Sequence, residues 1–582
     1  MKKKIITLRD SHKHYTYDQD KVCSPEETVA RFKERLKAAE LDVLKEVKRI
    51  DTGRLDIPVF FSVCGKDARE IIGNKKQMGK GSTPEQSRAS ACMELAERFS
   101  FFSFIKDEKN FLSATYNEVI AEGYPVLPLE KWLQSVHDES TRPETLAALV
   151  GDIPIQWVWA RNLSTGSETL MPFSWFYAIN EFNGPSAGNT MEEAVLQGLS
   201  EIVERHVCAV VTYDEVKTPA IDLDQLTDPV SRELVAKFRH HGIEVFANDF
   251  TLDTGIPTVA ALAMDPATFP ATSEIVYTAG TTPNPEKSLI RALTEVAQLA
   301  GDFESKANYV ASGLPKPLAM SEVTHLTAPG CQTTTGAMSN LEDSNFKVEV
   351  ENCVASLAQL GMEVFVVDVR HPELKIPACY TIVPGCHFRE RSRISHVGLF
   401  VAKLVSERIV DPQEQERQLR RMEEVLPEAY YLQFYQAKNL LNQGLFEQAV
   451  PHLEKALTLQ PEEEDIPYIY SFLGDCLKNL GHYHEAIAAI EKGRRYDDER
   501  PDLHNILGVC YFKLERFAEA ISCFQRAVEL HPSSAIDYAN LGVNHRRLGN
   551  NEEAVRYFEL ALDLDPTIDF ARQQLLEIIE EK

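Results

Sequence analysis

The chain has 582 residues, 44% of them hydrophobic, and a formal net charge of −27. That length implies about three domain-sized units with large cores, which excludes a globally disordered chain. The acidity, with no sustained Lys/Arg run to offset it, excludes nucleic acid as the main ligand, and no apolar stretch approaches the roughly 20 residues needed to span a bilayer.

The first residues, MKKKIITLRDSHKHY, have no apolar core or small-residue cleavage site, so no secretory signal is expected there. Eleven cysteines are scattered from Cys23 to Cys523 without a CxxC pair, as expected of reduced thiols in a cytoplasmic protein. Cys379, Cys386 and His387 come nearest to a metal-ligating cluster, and their spacing is poor.

Residues 20–405 read as an α/β domain. Apolar β-type runs at 57–64, 244–250, 257–264 and 362–369 alternate with helical stretches. Three of those helical stretches share one design, in which glycine and capping residues precede an acidic helix.

In Gly79–Phe99, Thr83, Pro84 and Gln86 predict a capping box with proline at the first helical position. Spacings of three and four then set Ser90, Glu94 and Glu97 on one face, with Arg98 beside them. In Asn183–Val207, Thr190 and Glu193 predict a second box, and Glu193, Gln197, Glu201 and Glu204 share a face beside Arg205. In Ala279–Gln298, Asn284 caps before Pro285, and Arg291, Glu295 and Gln298 align. Gly79-Lys80-Gly81-Ser82 is not a P-loop, because a glycine follows the lysine and none lies five residues before Gly79.

Glutamates at such spacings usually form solvated helix surface. Here the other faces are apolar: Ala89, Ala91, Cys92, Leu95, Ala96 and Phe99 on the first helix, and Ala194, Val195, Leu199, Ile202 and Val203 on the second. Packed helices would bring several carboxylates together in a desolvated place. That cost is relieved by raised pKa values or by a hard divalent cation, and all-oxygen donors favour Mg²⁺ over zinc. Glutamate-bound Mg²⁺ could bridge to phosphates at the glycine-flanked helix N-termini, with Arg98, Arg205 or Arg291 neutralising the rest.

These segments resemble the ATP-binding motifs of the YcaO family. Its pattern SxxxExxER is met by Ser90, Glu94, Glu97 and Arg98, ExxER by Glu201, Glu204 and Arg205, and RxxxExxQ by Arg291, Glu295 and Gln298. The resemblance runs over roughly residues 20–405 and implies an ATP-binding fold with glutamates from several helices holding Mg²⁺. Carried over, it makes Glu94, Glu97, Glu201, Glu204 and Glu295 the metal-ligand candidates. Ser90, Arg98, Glu193, Gln197, Arg205, Arg291 and Gln298 become nucleotide-binding candidates, joined by Lys21 and Thr28 in a segment similar to one that reaches the nucleotide.

The family activates peptide backbone amides by phosphorylation, leading to azolines, amidines or thioamides. Two departures bear on this chain. It ends in EIIEEK rather than a proline-rich PxPxP tail, so a modification other than azoline formation is expected. Ala300 stands where many members carry arginine, so one phosphate contact is lost or supplied elsewhere. Two functions therefore remain open: an ATP-dependent enzyme acting on a peptide or protein amide, and an ATP-binding accessory factor of another modifying enzyme, such as one for ribosomal-protein methylthiolation.

Residues 406–428 read as a charged helical connector, and 429–582 repeat. Ala449, Ala486, Ala520 and Ala554 are 37, 34 and 34 residues apart. Leu473-Gly474, Leu507-Gly508 and Leu541-Gly542 precede the last three, Leu453, Ile490, Phe524 and Phe558 follow all four, and Pro461, Pro532 and Pro566 close three repeats. This is the tetratricopeptide signature, an all-α solenoid capped by a helix over Phe570–Glu580. Such repeats are expected to recruit a protein partner, and a homodimer is the default oligomer.

Overall fold

A computed structural model describes residues 3–73, 77–180, 182–303, 317–328, 330–388, 396–531 and 534–580. The chain divides into two compact units, Met1–Ala147 with Pro154–His396 and Ala148–Ile153 with Val397–Lys582.

The first unit holds three sheets among its described residues. Leu44–Arg49, Val59–Cys64 and Gln77–Lys80 form an antiparallel meander. A five-stranded sheet runs in the order Val276–Thr281, Thr258–Met264, Glu244–Asp249, Ala220–Ile221, Gln332–Thr333, antiparallel except for the last pair. The third sheet centres on Ile155–Asn162, Phe365–Asp368 and Ala378–Ile382, with Pro185–Ala187 on one edge. Each apolar run read as a strand is one.

Each sheet leads through a short turn into one acidic helix: Gln77–Lys80 into Pro84–Lys106, Pro185–Ala187 into Met191–Asp214, and Val276–Thr281 into Pro285–Ala300. Glycines let helix and strand touch. A Cβ on Gly79 would lie 2.1 Å from the Ala91 nitrogen, and one on Gly280 2.4 Å from the Ser288 carbonyl oxygen. Ser87 Oγ seals the first junction by donating to the Gly79 carbonyl at 2.8 Å.

The apolar helix faces are buried as their patterns require. Val195, Leu199, Ile202 and Val203 pack with Ala260, Leu262, Val350 and Leu357. Leu289, Leu293 and Val296 pack with Val259, Ala261 and Phe238, and Cys92, Leu95, Ala96 and Phe99 with Phe32 and Leu36. Burial of this kind contributes roughly 1.5–3 kcal/mol per large side chain, and it forces the opposite, polar faces toward one another.

The helix starts are capped at Thr83, Thr190 and Asn284, whose side chains accept from Gln86, Glu193 and Glu286 amides at 3.2, 3.3 and 2.9 Å. The expected reciprocal bond of each capping box is not made. Glu193 instead accepts from the Val22 and Asn189 amides at 3.1 and 3.3 Å, and Gln86 lines the cleft described below. A carboxylate near several N–H donors satisfies whichever are orphaned, and here one belongs to the N-terminal segment and the other to the residue just before the cap.

In the second unit, the connector read over 406–428 takes in the end of one helix, Val397–Arg408, and the whole of a second, Pro412–Val425. Asp411 caps the second, with Pro412 at its first position. Apart from Ala148–Ile153, the second unit begins at Val397. Gly398 allows Val397–Arg408 to pack against Tyr431 of the first repeat.

Four helix pairs follow: Tyr430–Asn442 with Phe446–Thr458, Ile466–Asn479 with Tyr483–Gly493, Pro501–Lys513 with Phe517–Leu530, and Ala535–Arg547 with Asn551–Leu564. Asp569–Glu580 caps them. Ala449, Ala486, Ala520 and Ala554 are fully buried. A Cβ on Gly474, Gly508 or Gly542 would meet Ile490, Phe524 or Phe558 at 2.3–2.7 Å, so each Leu-Gly pair exists to admit the large side chain of its partner helix. Pro461 and Pro566 follow the helices they were expected to end, and Pro532 lies outside the described residues.

Candidate functional site

The polar faces of the three acidic helices converge on one cleft of about 950 Å³, solvent at its mouth included. The first helix contributes Ser90, Glu94 and Glu97, the second Glu193 and Gln197, and the third Arg291. Lys21 and Thr28 close it from the N-terminal segment, which also brings Asp18 and Gln19.

The N-terminal segment is tied down at several points. Asp18 accepts from the Ser82 amide and hydroxyl at 3.1 and 2.7 Å. Lys21 Nζ lies 3.7 Å from Glu193, and Thr28 donates to Asn189 at 3.2 Å.

Of the remaining candidates, Glu204, Arg98 and Glu295 attach to lining residues, whereas Glu201 and Arg205 pair with each other. Glu204 is 3.3 Å from Arg291, whose other guanidinium nitrogen donates to Gln197 at 3.1 Å. Arg98 is 3.4 Å from Glu97 and 3.9 Å from Glu94. Glu295 pairs with Lys80. Glu201 accepts from the Gly184 amide at 3.4 Å and lies 3.9 Å from Arg205. Gln298 is outside the cleft lining, one turn beyond Glu295.

Burial raises the Glu94 carboxyl above its ordinary value and Glu97 well above it, with Arg98 opposing both shifts and Glu201 adding to them. Lys80 moves the other way. Burial, reinforced by Arg291, pulls its ammonium down to about 7. The cleft thus holds carboxylates and cations that are partly withdrawn from solvent and lie in pairs of opposite charge.

Lys80 is the principal residue that sequence reading missed. The signal is a lysine between two glycines at a strand end just before a capped helix, a pattern distinct from that of a P-loop. Asp18 and Gln19 had no pattern to announce them.

Cys379, Cys386 and His387 do not form a metal centre. Cys379 is buried beside Ser186 with its thiol pushed up to about 12, and His387 stacks on His137 with ring centres 3.7 Å apart. Among the described residues no three His, Cys, Asp or Glu side chains are grouped closely enough to enclose a metal. The candidate carboxylates are each paired with a cation. Their chemistry still suits a hard cation: oxygen donors from three helices, partly desolvated, beside glycine-flanked helix N-termini. Gly81 and Gly188 stand at two of those N-termini, where a Cβ would lie 2.7 and 2.6 Å from the following helix.

Residues 78–387 match the model of a family described as YcaO cyclodehydratase, ATP- and Mg²⁺-binding. Residues 500–567 match a tetratricopeptide repeat model, and 442–527 that of anaphase-promoting complex (cyclosome) subunit 3. A protein of Methanothermobacter thermautotrophicus is 28% identical over 381 residues, covering 62% of this chain and 93% of that protein. The Escherichia coli K12 protein named ribosomal protein S12 methylthiotransferase accessory factor YcaO is 26% identical over 317 residues, 49% of this chain and 50% of that one. In fold, the structure of YcaO from Methanopyrus kandleri bound with AMPPCP and Mg²⁺ is similar, with a TM-score of 0.51 at 23% identity over 66% of this chain and 98% of that one.

Proposed function

The chain belongs to the YcaO family, with an ATP- and Mg²⁺-binding domain, and from that premise we propose that it uses Mg-ATP to activate a backbone amide of a peptide or protein for a modification other than azoline formation. The observation that carries this reading is the convergence of Glu94, Glu97, Glu193 and Arg291 from three helices on one cleft.

Bound Mg-ATP supplies a phosphoryl group that turns the amide oxygen into a good leaving group. Glu94, Glu97, Glu201, Glu204 and Glu295 are the oxygen donors proposed for Mg²⁺, all hard ligands. Each now leans on, or lies near, Arg98, Arg205, Arg291 or Lys80. A divalent cation taking over these carboxylates would release the protein's own cations toward phosphate oxygens, where they offset negative charge as it shifts. Ser90, Lys21, Thr28, Glu193 and Gln197 are proposed to orient the nucleotide, and Gln298 to support Glu295 from behind. Lys80 is proposed as the cation that compensates for Ala300.

The repeats are proposed to hold a protein partner or the substrate beside this cleft, raising its effective concentration. The accessory-factor reading is favoured by one observation, the name of the E. coli relative. Calorimetry of Mg-ATP binding with and without EDTA, followed by ATP turnover across a peptide panel, tests both. Binding that needs metal, and turnover that rises with one peptide whose mass then changes, supports the enzyme. Metal-dependent binding with turnover insensitive to every peptide supports the accessory factor, and metal-independent binding sinks the carboxylate model.

A further inference from the structure

Outside the cleft, a second groove is built by the Pro25–Ala39 helix. Thr28, Arg31, Phe32 and Arg35 share one helix face by their spacing of three and four, and they turn toward Lys375 and Ile376. The floor is apolar, with Phe32 1% and Ile376 6% exposed. The rim is cationic: Arg31, Arg35 and Lys375 are all exposed.

None of the three cations is in an ion pair with a carboxylate among the described residues. Arg31 donates only to Cys23 Sγ, at 2.7 Å. Lys375 sits in the left-handed region at φ 54°, where its backbone N–H donates a hydrogen bond to the His371 carbonyl at 3.0 Å. In a chain with 88 acidic and 61 basic residues, three uncompensated cations around one groove make a local attractive field on a surface that otherwise repels anions.

The groove is continuous with the nucleotide cleft, because Thr28, Met93 and Asn189 line both. We propose that it receives an acidic segment of the substrate, two or more Asp or Glu side chains, and leads the amide to be modified into the cleft past Thr28 and Asn189. The apolar floor takes the methylene and backbone surface of an extended peptide, and the rim reads its charge. This rests on the peptide-modifying reading of the cleft and narrows it to acidic substrates.

The test uses the full chain and a fluorescein-labelled hexaglutamate peptide, with hexaserine, hexalysine and a short single-stranded oligonucleotide as comparisons, read by anisotropy. Mg-ATP binding is measured in parallel by calorimetry. We expect hexaglutamate to bind best, and the Arg35→Glu, Lys375→Glu pair to weaken it by about tenfold while Mg-ATP affinity stays within about twofold. Hexaglutamate binding that is absent, or indifferent to the reversals, overturns the proposal. Tighter binding of the oligonucleotide overturns it in favour of nucleic acid, and loss of Mg-ATP affinity in the reversed pair assigns the groove to the nucleotide. Failure of the unaltered chain to bind Mg-ATP, with hexaglutamate binding intact, instead removes the cleft reading and with it the substrate role.

Discussion

Glu97 sits where burial works against its charge and Arg98 works for it, and burial wins. Glu97→Gln should therefore leave the unfolding midpoint in denaturant unchanged or slightly higher, because it removes a poorly solvated charge. The same substitution removes a proposed metal oxygen and should lower ATP turnover at least about 100-fold; normal turnover would remove Glu97 from the site. Lys80, with its pKa near 7, is partly neutral at neutral pH. A triphosphate favours the ammonium form, so Mg-ATP binding at pH 7.5 should take up protons. Calorimetry in buffers of different ionisation enthalpy reads that uptake, and Lys80→Met should abolish most of it.

Glu349 is a third case. It is fully buried, 2.6 Å from Lys13, which also meets Asp20 at 2.8 Å, and it accepts from the Asp343 amide at 3.2 Å. Burial nevertheless raises its carboxyl to about 7 from an ordinary 4.5. A raised acid binds its proton more tightly when folded. Its contribution to stability is therefore complete below pH 4.5 and lost as pH rises through 7, by at most about 3 kcal/mol. Urea unfolding from pH 4.5 to 8 should show that loss, and Glu349→Gln should flatten it. The glutamate spacing was legible in the sequence, since helical periodicity is local. The environment of Lys80 and Glu349 was not, because each is buried by segments hundreds of residues away.

At the scale of elements, the repeated unit of the first domain is strand, turn and capped acidic helix, and its weakest tolerance is at the glycine where strand meets helix. Gly280→Ala would push a methyl group against the Ser288 carbonyl and the Ala292 amide, both backbone groups that cannot swing away. A loss of about 1–3 kcal/mol is expected by denaturant titration, and a neutral result would mean that the strand and helix separate freely. The cap residues and the Pro positions were readable from sequence. The bond from Glu193 to the Val22 amide was not, because that donor arrives only when the N-terminal segment folds over the helix.

At the scale of the molecule, two units with separate cores carry the cleft and the repeats. No described helix is long and apolar enough to cross a membrane. Ending the chain after residue 396 should leave basal Mg-ATP turnover within about threefold, since every proposed nucleotide contact precedes that point, and should abolish capture of a protein partner through the repeats. Turnover lost together with dimerisation would show instead that the repeats serve assembly.

By itself the sequence determined the family, the repeat register and the set of acidic residues that share a helix face. All three depend on spacing within some 35 residues, which the periods of helix and repeat convert directly into geometry. Only the tertiary structure decided that the three faces meet around one cleft, that Lys80 pairs with Glu295, and that Thr28 and Asn189 join the cleft to a basic groove. Those relations are made by sheet register and by the burial of opposite, apolar faces, and no local pattern of residues encodes the distance between two segments that pack only after the chain has folded.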